Sequence, residues 1–441
     1  MGVIMQTFYW DCPNDLEQPF GWWSFIKSKV TELRQAGFTA FWLPPLNKAA
    51  EQQSMGYDPF DYYDLGDIDQ KGGVPTWFGS KADLLALIEE AHQNNIDLYA
   101  DLVFNHNSGG ELEENPHDHI SRWTKFEPGS GKFNRNWICF HPSPYETMDG
   151  LSFGDMPDLC HRNPDVYDAL LEYGRWLLEE IGIDGFRYDF VKGYGAWMVR
   201  AIQELRGLKG EQSFKPFGVG ECWDSDRTIN DWLAEVNTWS DNPISAFDFP
   251  LRWRLQDLCM TDGFSLKTLT AGGTILTDGF PSIGVTFVEN HDVARSSPIT
   301  TDKLLAYSYI LTHEGYPCVF WQDYYQYNLA KTGTLNGIDA LVKAHEQFAG
   351  GSTSILYVDD NLYIMQRKGF GPQPGLIYVL NNNATWNGAW VQTQWLNKTM
   401  KVIAHWGSTD LAAPQDKQTN AEGWSDFWAP GRGYAVYAPQ E

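Results

Sequence analysis

The chain is short of basic charge. Lys and Arg together number 32 against 57 Asp and Glu, a net charge of −25 over 441 residues. A phosphate backbone needs a basic stripe, so nucleic acid is excluded as a partner, while a neutral ligand is not repelled. Cysteine is sparse as well. Cys12, Cys139, Cys160, Cys222, Cys259 and Cys318 are scattered, with no CxxC pair and no zinc-finger spacing, which excludes a finger and a disulfide-framed miniature domain. Cys222 and Cys318 lie in apolar runs where free buried thiols are expected; for Cys139 and Cys160, spacing alone does not decide whether they pair. No apolar run approaches the ~20 residues of a membrane span, so no membrane partner is expected. The chain enters a strand-like run, GVIMQTFYW, almost at once, so no signal peptide is expected within it. The chain is therefore expected to be either intracellular or a mature secreted protein without its leader, with secretion favoured. Low-complexity segments and solenoid repeats are also missing.

What the chain has in excess is aromatic. Twenty Trp, 21 Tyr and 25 Phe make up 15% of it, within a total of 43% hydrophobic and 20% charged residues. That composition builds a large packed core and argues against disorder. Rings also cover the flat C–H faces of sugars while polar edges hydrogen-bond their hydroxyls, so part of this excess is expected to line a ligand surface.

Strand-like and helix-like segments alternate through the first two-thirds. Strands are expected at Val3–Trp10, Thr39–Leu43, Ile96–Phe104, Gly185–Asp189, Phe217–Cys222, Ala246–Phe249, Ile283–Val288 and Pro317–Trp321. Amphipathic helices are expected between them at Trp23–Ala36, Ser80–Asn94, Pro164–Ile181, Ala196–Arg206, Thr228–Val236, Asp302–His313 and Gly337–Phe348. Ser80 suits an N-cap and Pro164 a first helical turn. Eight such strands predict an α/β fold, a (β/α)8 TIM barrel of roughly 250 residues. From about Asn107 to Asn163 the chain is rich in Gly, Pro, His and Asn without helical periodicity, a stretch too long for a structureless loop and expected to be a small inserted domain after the third strand. After Gly350, TSILYVDD, NLYIMQRK, GLIYVLNNN, TMKVIAHW and GYAVYAP alternate in the manner of an antiparallel sheet. The expected division is a barrel of residues 1–106 and 164–349, an insertion of 107–163 and a C-terminal β-sheet domain of 350–441.

Three carboxylates end barrel-strand candidates: Asp189 in IDGFRYDF, Glu221 in FGVGECW and Asp292 in VTFVENHD. A fourth run, LYADLVFNH, ends in Asn105 and His106. Parallel barrel strands bring such residues to one rim, and paired carboxylates in one cleft are what glycosidic hydrolysis requires. Arg187 is two residues before Asp189, hence on the same strand face, and a guanidinium there would keep Asp189 ionised. The apolar neighbours of Glu221 predict an apolar wall that raises its pKa, as a general acid needs.

In this order, DLVFNH, GFRYDFVKG, GECW and FVENHD resemble the four core segments of the α-amylase family of glycoside hydrolases. MPDLCH resembles that family's additional short segment, GYDPFDYYDLG also matches, and VKGYGAW is most similar to the compact plant and archaeal members. The resemblance spans barrel, insertion and C-terminal sheet. It implies a retaining, endo-acting hydrolase of internal α-1,4-glucosidic bonds in starch, glycogen and maltooligosaccharides, with Asp189 as nucleophile, Glu221 as general acid/base and Asp292 as the third carboxylate. His106 and His291 would hydrogen-bond the same sugar, Tyr57 would stack beneath it, Arg187 would hold the nucleophile, and Lys192 would face the leaving group. Most relatives place His after this Lys, where this chain has Gly193. The resemblance further implies Ca2+ held by Asn105, Asp149, Asp158 and the carbonyl of Gly193, with a carbonyl near Leu151 adding a ligand; all-oxygen ligation suits that ion. Some archaeal relatives add zinc, but His141 and Cys160 are here joined by Thr147, so zinc is not expected. A monomer acting on an α-glucan is implied. Two alternatives stand beside this reading: a maltooligosaccharide-forming amylase or cyclodextrin hydrolase, and a non-catalytic glucan-binding protein. The second is disfavoured by the presence of all three carboxylates, because fold alone does not decide function.

Overall fold

A computed structural model describes residues 2–15, 19–210 and 212–440. Eight short strands form a closed parallel barrel: β1 (Ile4–Gln6), β2 (Ala40–Pro45), β3 (Asp97–Leu102), β4 (Gly185–Tyr188), β5 (Phe217–Gly220), β6 (Ser245–Phe247), β7 (Gly284–Phe287) and β8 (Tyr316–Phe320), in the order β1-β8-β7-β6-β5-β4-β3-β2. Apart from the first residue of β3 and Phe217, every barrel-strand residue is buried, as in a parallel sheet covered on both faces. This explains why these strands read as continuous apolar runs, and why a charged residue inside one is informative.

Two compact units divide the chain. One comprises residues up to Gln6, Gln35–Thr39 and residues from Asp248 onward; the other comprises Thr7–Arg34 and Ala40–Phe247. The second unit carries β2 to β6 and the helices Lys81–Gln93, Pro164–Trp176, Ala196–Gln203 and Asp226–Val236. Ser80 caps the first of these reciprocally with Asp83. Pro164 opens the next helix behind Asn163, whose side chain accepts from the Asp165 N–H. That helix was expected to run to Ile181. It gives way after Trp176 to a wider turn, Leu177–Ile181, closed by Gly182 at φ 91, where a side chain would be strained. The stretch after β3 contains a hairpin, Glu111–Asn115 with Ile120–Lys125, and a short turn Trp137–Cys139. Strong charge in ELEEN hid the first of these strands. All six thiols are free and buried, so Cys139 and Cys160 do not pair.

The first unit carries β1, β7, β8, the helix Phe249–Met260 and the C-terminal sheets. That helix lies where strand character was expected to continue to Phe249. Asp248 accepts from the Leu251 N–H and stops the strand, and the helix escapes pattern reading because its Arg252 is fully buried, 3.2 Å from Glu289. Beyond it, β9 (Thr353–Val358), β10 (Leu362–Arg367), β11 (Leu376–Asn381), β13 (Thr399–Gly407), β14 (Lys417–Gln418) and β16 (Gly433–Pro439) form a six-stranded sheet ordered β9-β10-β11-β16-β13-β14. A two-stranded ribbon of β12 (Asn387–Gln392) and β15 (Trp424–Ala429), absent from the sequence expectations, packs Val391, Phe427 and Ala429 into a core with Ile364, Val379, Met400 and Tyr437. No helix among the described residues is long and apolar enough to cross a membrane.

Below β3 and β4, Asp184 ties three elements together. Its carboxylate accepts from the Leu98 N–H (2.8 Å) and contacts His92 Nε2 (2.9 Å) and Lys209 Nζ (2.7 Å). Burial pushes this carboxyl up, but these partners outweigh it and hold it below the usual carboxylate range. A depressed folded pKa means stability that is present above the unfolded value of about 4 and lost as pH falls through the folded one. Asp184→Asn is therefore expected to lower the melting temperature at neutral pH and to converge on the wild type as the pH drops through that window; a pH-independent gap would sink this account.

Candidate active site

The barrel register assembles the site from strand ends. Asp101 and Arg187 are partners across β3 and β4, and Arg187 pairs with Val219 on β5, two residues before Glu221. The ladder runs on past the strands, with Asp189 N–H donating to Leu102 O (3.0 Å) and Glu221 N–H to Tyr188 O (2.9 Å). Period-two alternation then puts Arg187 and Asp189 on one face.

Arg187 is the hub. It is fully buried, and its Nη1 donates to Asp101 Oδ1 and to Asp189 Oδ1, both at 2.7 Å, while its Nη2 lies 2.9 Å from Glu221 Oε2. Burial works against the guanidinium, but Asp101, Glu221 and Asp189 drive its pKa well above the usual value, so its charge is permanent. Asp101 is the residue that motif reading passed over. Its Oδ2 accepts from Trp42 Nε1 (3.1 Å) and Tyr57 Oη (2.7 Å), and Trp42 also lies under the guanidinium, 5.2 Å from ring to charge. Burial pushes the Asp101 carboxyl up to about 6 despite the pull of Arg187. The signal was available: an Asp in the middle of a buried apolar strand, LYADLVF.

Glu221 meets a partner that the sequence reading did not anticipate: its Oε2 lies 2.9 Å from Arg187 Nη2 and accepts from the Phe190 N–H at 3.2 Å. Phe190 adopts φ 43, a left-handed conformation unusual for a bulky residue and of the kind held in place at functional sites. Nothing in the sequence announces that turn.

Of the other expected residues, Tyr57 and His106 adjoin this hub. His106 is buried, donates from Nε2 to Tyr57 O (2.9 Å), and lies face to face with Phe153 at 4.6 Å. Burial lowers its pKa, so it is neutral. Tyr57 joins His106 to Asp101, and its ring lies 5.2 Å from that of Trp10. Lys192 stands apart from the guanidinium, reaching Trp223 O (2.7 Å) and Asp224 Oδ2 (3.1 Å). Asp292 follows β7, its N–H held by Asn290 Oδ1, with its side chain about one-third exposed and 3.4 Å from His291 Nε2. His291 Nδ1 meets the amide of Gln6 at 3.0 Å; Gln6, on β1, was not anticipated.

The oxygen cluster beside the hub fits a hard cation. No hydrogen-bond donor among the described residues reaches Asn105 Oδ1 or either carboxylate oxygen of Asp158, and all three atoms are buried. Leaving such atoms unmatched is costly, and burial has pushed Asp158 up to about 7. Gly193 is tight against them: a Cβ there would overlap Asn105 Oδ1. A Cβ on Gly150 would likewise run into the Gly193 carbonyl, so that oxygen faces the loop bearing Asp149. Leu151 is tied alongside through its N–H to Lys192 O (3.2 Å). Asp149 gives its two oxygens to His141 Nε2 (3.1 Å) and His161 Nδ1 (2.9 Å), which hold its pKa down to about 2 against the opposing effect of burial. His141, Glu146 and Asp149 also group closely enough to hold a metal. Cys160 is outside that group.

Residues 13–324 match the family described as Alpha amylase, catalytic domain, and residues 376–438 match Alpha-amylase C-terminal. An alpha-amylase of Geobacillus stearothermophilus is 29% identical over 503 aligned positions, covering 100% of this chain and 87% of that protein. A glucan 1,4-alpha-maltohexaosidase of Bacillus sp. (strain 707) is also 29% identical, over 99% of this chain and 92% of its own length. Among solved structures, an alpha-amylase from Geobacillus thermoleovorans complexed with acarbose superposes with a TM-score of 0.70 at 19% identity, covering 100% of this chain and 98% of that one; at that identity the likeness concerns the fold.

Asp101→Asn keeps the shape of the hub but removes one charge from Arg187 and weakens the acceptor for Tyr57 and Trp42. Catalytic efficiency on soluble starch is expected to fall at least about a hundredfold, some 2.7 kcal/mol of barrier, with the fold intact by circular dichroism. Activity within a few-fold of wild type would show that Asp101 is dispensable.

Proposed function

The chain belongs to the α-amylase family and is a glycoside hydrolase, and on that premise we infer that it is a retaining, endo-acting enzyme that cuts internal α-1,4-glucosidic bonds of starch, glycogen and maltooligosaccharides. One observation carries the reading: Asp189 and Glu221, at the ends of neighbouring strands, meet the two terminal nitrogens of a single buried guanidinium. That closeness suits a retaining mechanism, in which carboxyls ~5–5.5 Å apart leave no room for a water between nucleophile and sugar.

Asp189, held ionised by Arg187, attacks the anomeric carbon. Glu221 gives its proton to the glycosidic oxygen as the bond to the leaving sugar breaks. The glucosyl group is then an ester of Asp189. Glu221, now a base, takes a proton from water, which displaces Asp189 and restores the α-configuration. A sugar that displaces water from the cleft raises the cost of a charge on Glu221 and so supports its role as the acid. Asp292, His106 and His291 hold hydroxyls of the reacting sugar, Tyr57 lies beneath its ring, and Lys192 serves the leaving side. Ca2+ would be held by Asn105, Asp158, Asp149 and carbonyls of Gly193 and Leu151; when bound it neutralises these oxygens and fastens the 107–163 segment beside His106. The maltohexaosidase among the relatives favours one second reading, release of a preferred oligosaccharide length; a product time course on amylose separates the two.

Asp189→Asn is expected to cost at least about a hundredfold in kcat with glucan binding retained. Glu221→Gln should be equally poor on starch yet recover much of its rate on α-glucosyl fluoride, whose leaving group needs no proton; equal losses on both substrates would argue against the acid role.

The cation is tested by stability. Chelation is expected to lower the melting temperature and added Ca2+ to restore it, by about 4 kcal/mol at a thousandfold excess over Kd, and Asp158→Asn should blunt that response. Melting indifferent to chelator, with no metal by elemental analysis, would remove the proposal.

A further inference from the structure

The outward face of the ribbon β12–β15 carries tryptophan where solvent-facing strand positions are ordinarily polar. Its register pairs Gly388 with Trp428, Trp390 with Asp426 and Gln392 with Trp424. Residues opposed across an antiparallel pair, and those two apart along a strand, share a face, so these six form one surface. The alternate residues Val391, Phe427 and Ala429 fill the core. The three indoles are thus on the side that the fold does not need, 66%, 41% and 38% exposed for Trp390, Trp424 and Trp428.

Their arrangement is ordered. A Cβ on Gly388 would stand 2.6 Å from two ring atoms of Trp428, so that ring lies across the glycine, against the ribbon, and offers its other face outward. Trp428 Nε1 donates to Asp426 Oδ2 (2.8 Å), and Lys417 Nζ reaches the same oxygen at 2.9 Å, so the carboxylate between the indoles is neutralised. Trp424 and Trp428 stand about 13 Å apart along their strand, with Trp390 beside the point midway between them. The result is an elongated aromatic row, polar at its edges and without net charge on a chain of −25.

We propose that this face is a second, non-catalytic binding surface for an α-glucan chain, with Trp390, Trp424 and Trp428 stacking on successive sugar faces and Asp426 and Gln392 meeting hydroxyls. The inference rests on the reading of the protein as an α-glucan hydrolase. Neutral charge and an extended row match a neutral linear polymer. The area is wrong for a second copy: the exposed part of three indoles comes to on the order of 350 Å², against the ~800 Å² per partner that a stable dimer buries.

The test is made on the full-length protein with Trp390→Ala/Trp424→Ala and, separately, Trp428→Ala. Adsorption to starch granules in the cold is compared with kcat/KM on maltoheptaose. Adsorption about tenfold weaker, with maltoheptaose turnover within about twofold of wild type, is the expected result. Unchanged adsorption overturns the proposal, as does a parallel loss of both readouts. So does a dimer, seen by sedimentation, that the substitutions dissociate. A wild-type protein that adsorbs through these residues but cleaves neither starch nor maltoheptaose would uphold the surface and sink the hydrolase reading alone.

Discussion

A single buried guanidinium sets the terms for the rest of the site. Arg187 is surrounded by Asp101, Asp189 and Glu221, so the cluster holds more negative charge than positive in a barrel that excludes water. Such an arrangement is costly, and it survives because each partner is fixed from more than one side. Trp42 and Tyr57 bind the far oxygen of Asp101, the Phe190 N–H binds Glu221, and the Asp189 N–H is tied to β3. Burial raises the Asp101 carboxyl to about 6 against the pull of Arg187, a sign of that cost. The same arrangement is useful chemically: one fixed positive charge beside Asp189 favours its ionised form.

The neighbouring oxygen cluster has the opposite problem. Around Arg187 anions share a cation; around Asn105 and Asp158 buried oxygens have no donor among the described residues. His106 belongs to both neighbourhoods, touching Tyr57 on one side and adjoining Asn105 on the other, so a cation that orders the insertion would act on the site through the backbone between residues 105 and 106. The glycines at 150 and 193 serve this close packing through the absence of Cβ atoms.

The C-terminal ribbon obeys a different rule. Its inner residues fill the core, while Trp390, Trp424 and Trp428 on its outer face stay outside that core and partly exposed. Where folding imposes no requirement, a row of large rings over a paired carboxylate reads as function, because exposed indoles bring a solubility liability and no stability. The alternation of WSDFWA, aromatic on both faces, concealed the strand and the surface together.

How much was legible follows from the range of each interaction. The eight barrel strands and most helices were readable because apolar runs, Ser80 and Pro164 act locally, and Asp189, Glu221 and Asp292 were readable because they sit at strand ends in recognisable segments. The helix at Phe249 was not, since its buried Arg252 breaks the pattern and is satisfied only by Glu289, 37 residues away. The sequence by itself determined the barrel, the order of the carboxylates and the family. Only the tertiary structure decided that Asp101 shares Arg187 with both catalytic candidates, that Glu221 faces the same guanidinium, that Gln6 meets His291, and that Gly193 packs against Asn105. The physical reason is common to all four: closing the barrel brings together side chains separated by tens to hundreds of residues, and the electrostatics of a buried charge depend on those neighbours rather than on adjacent residues in the chain.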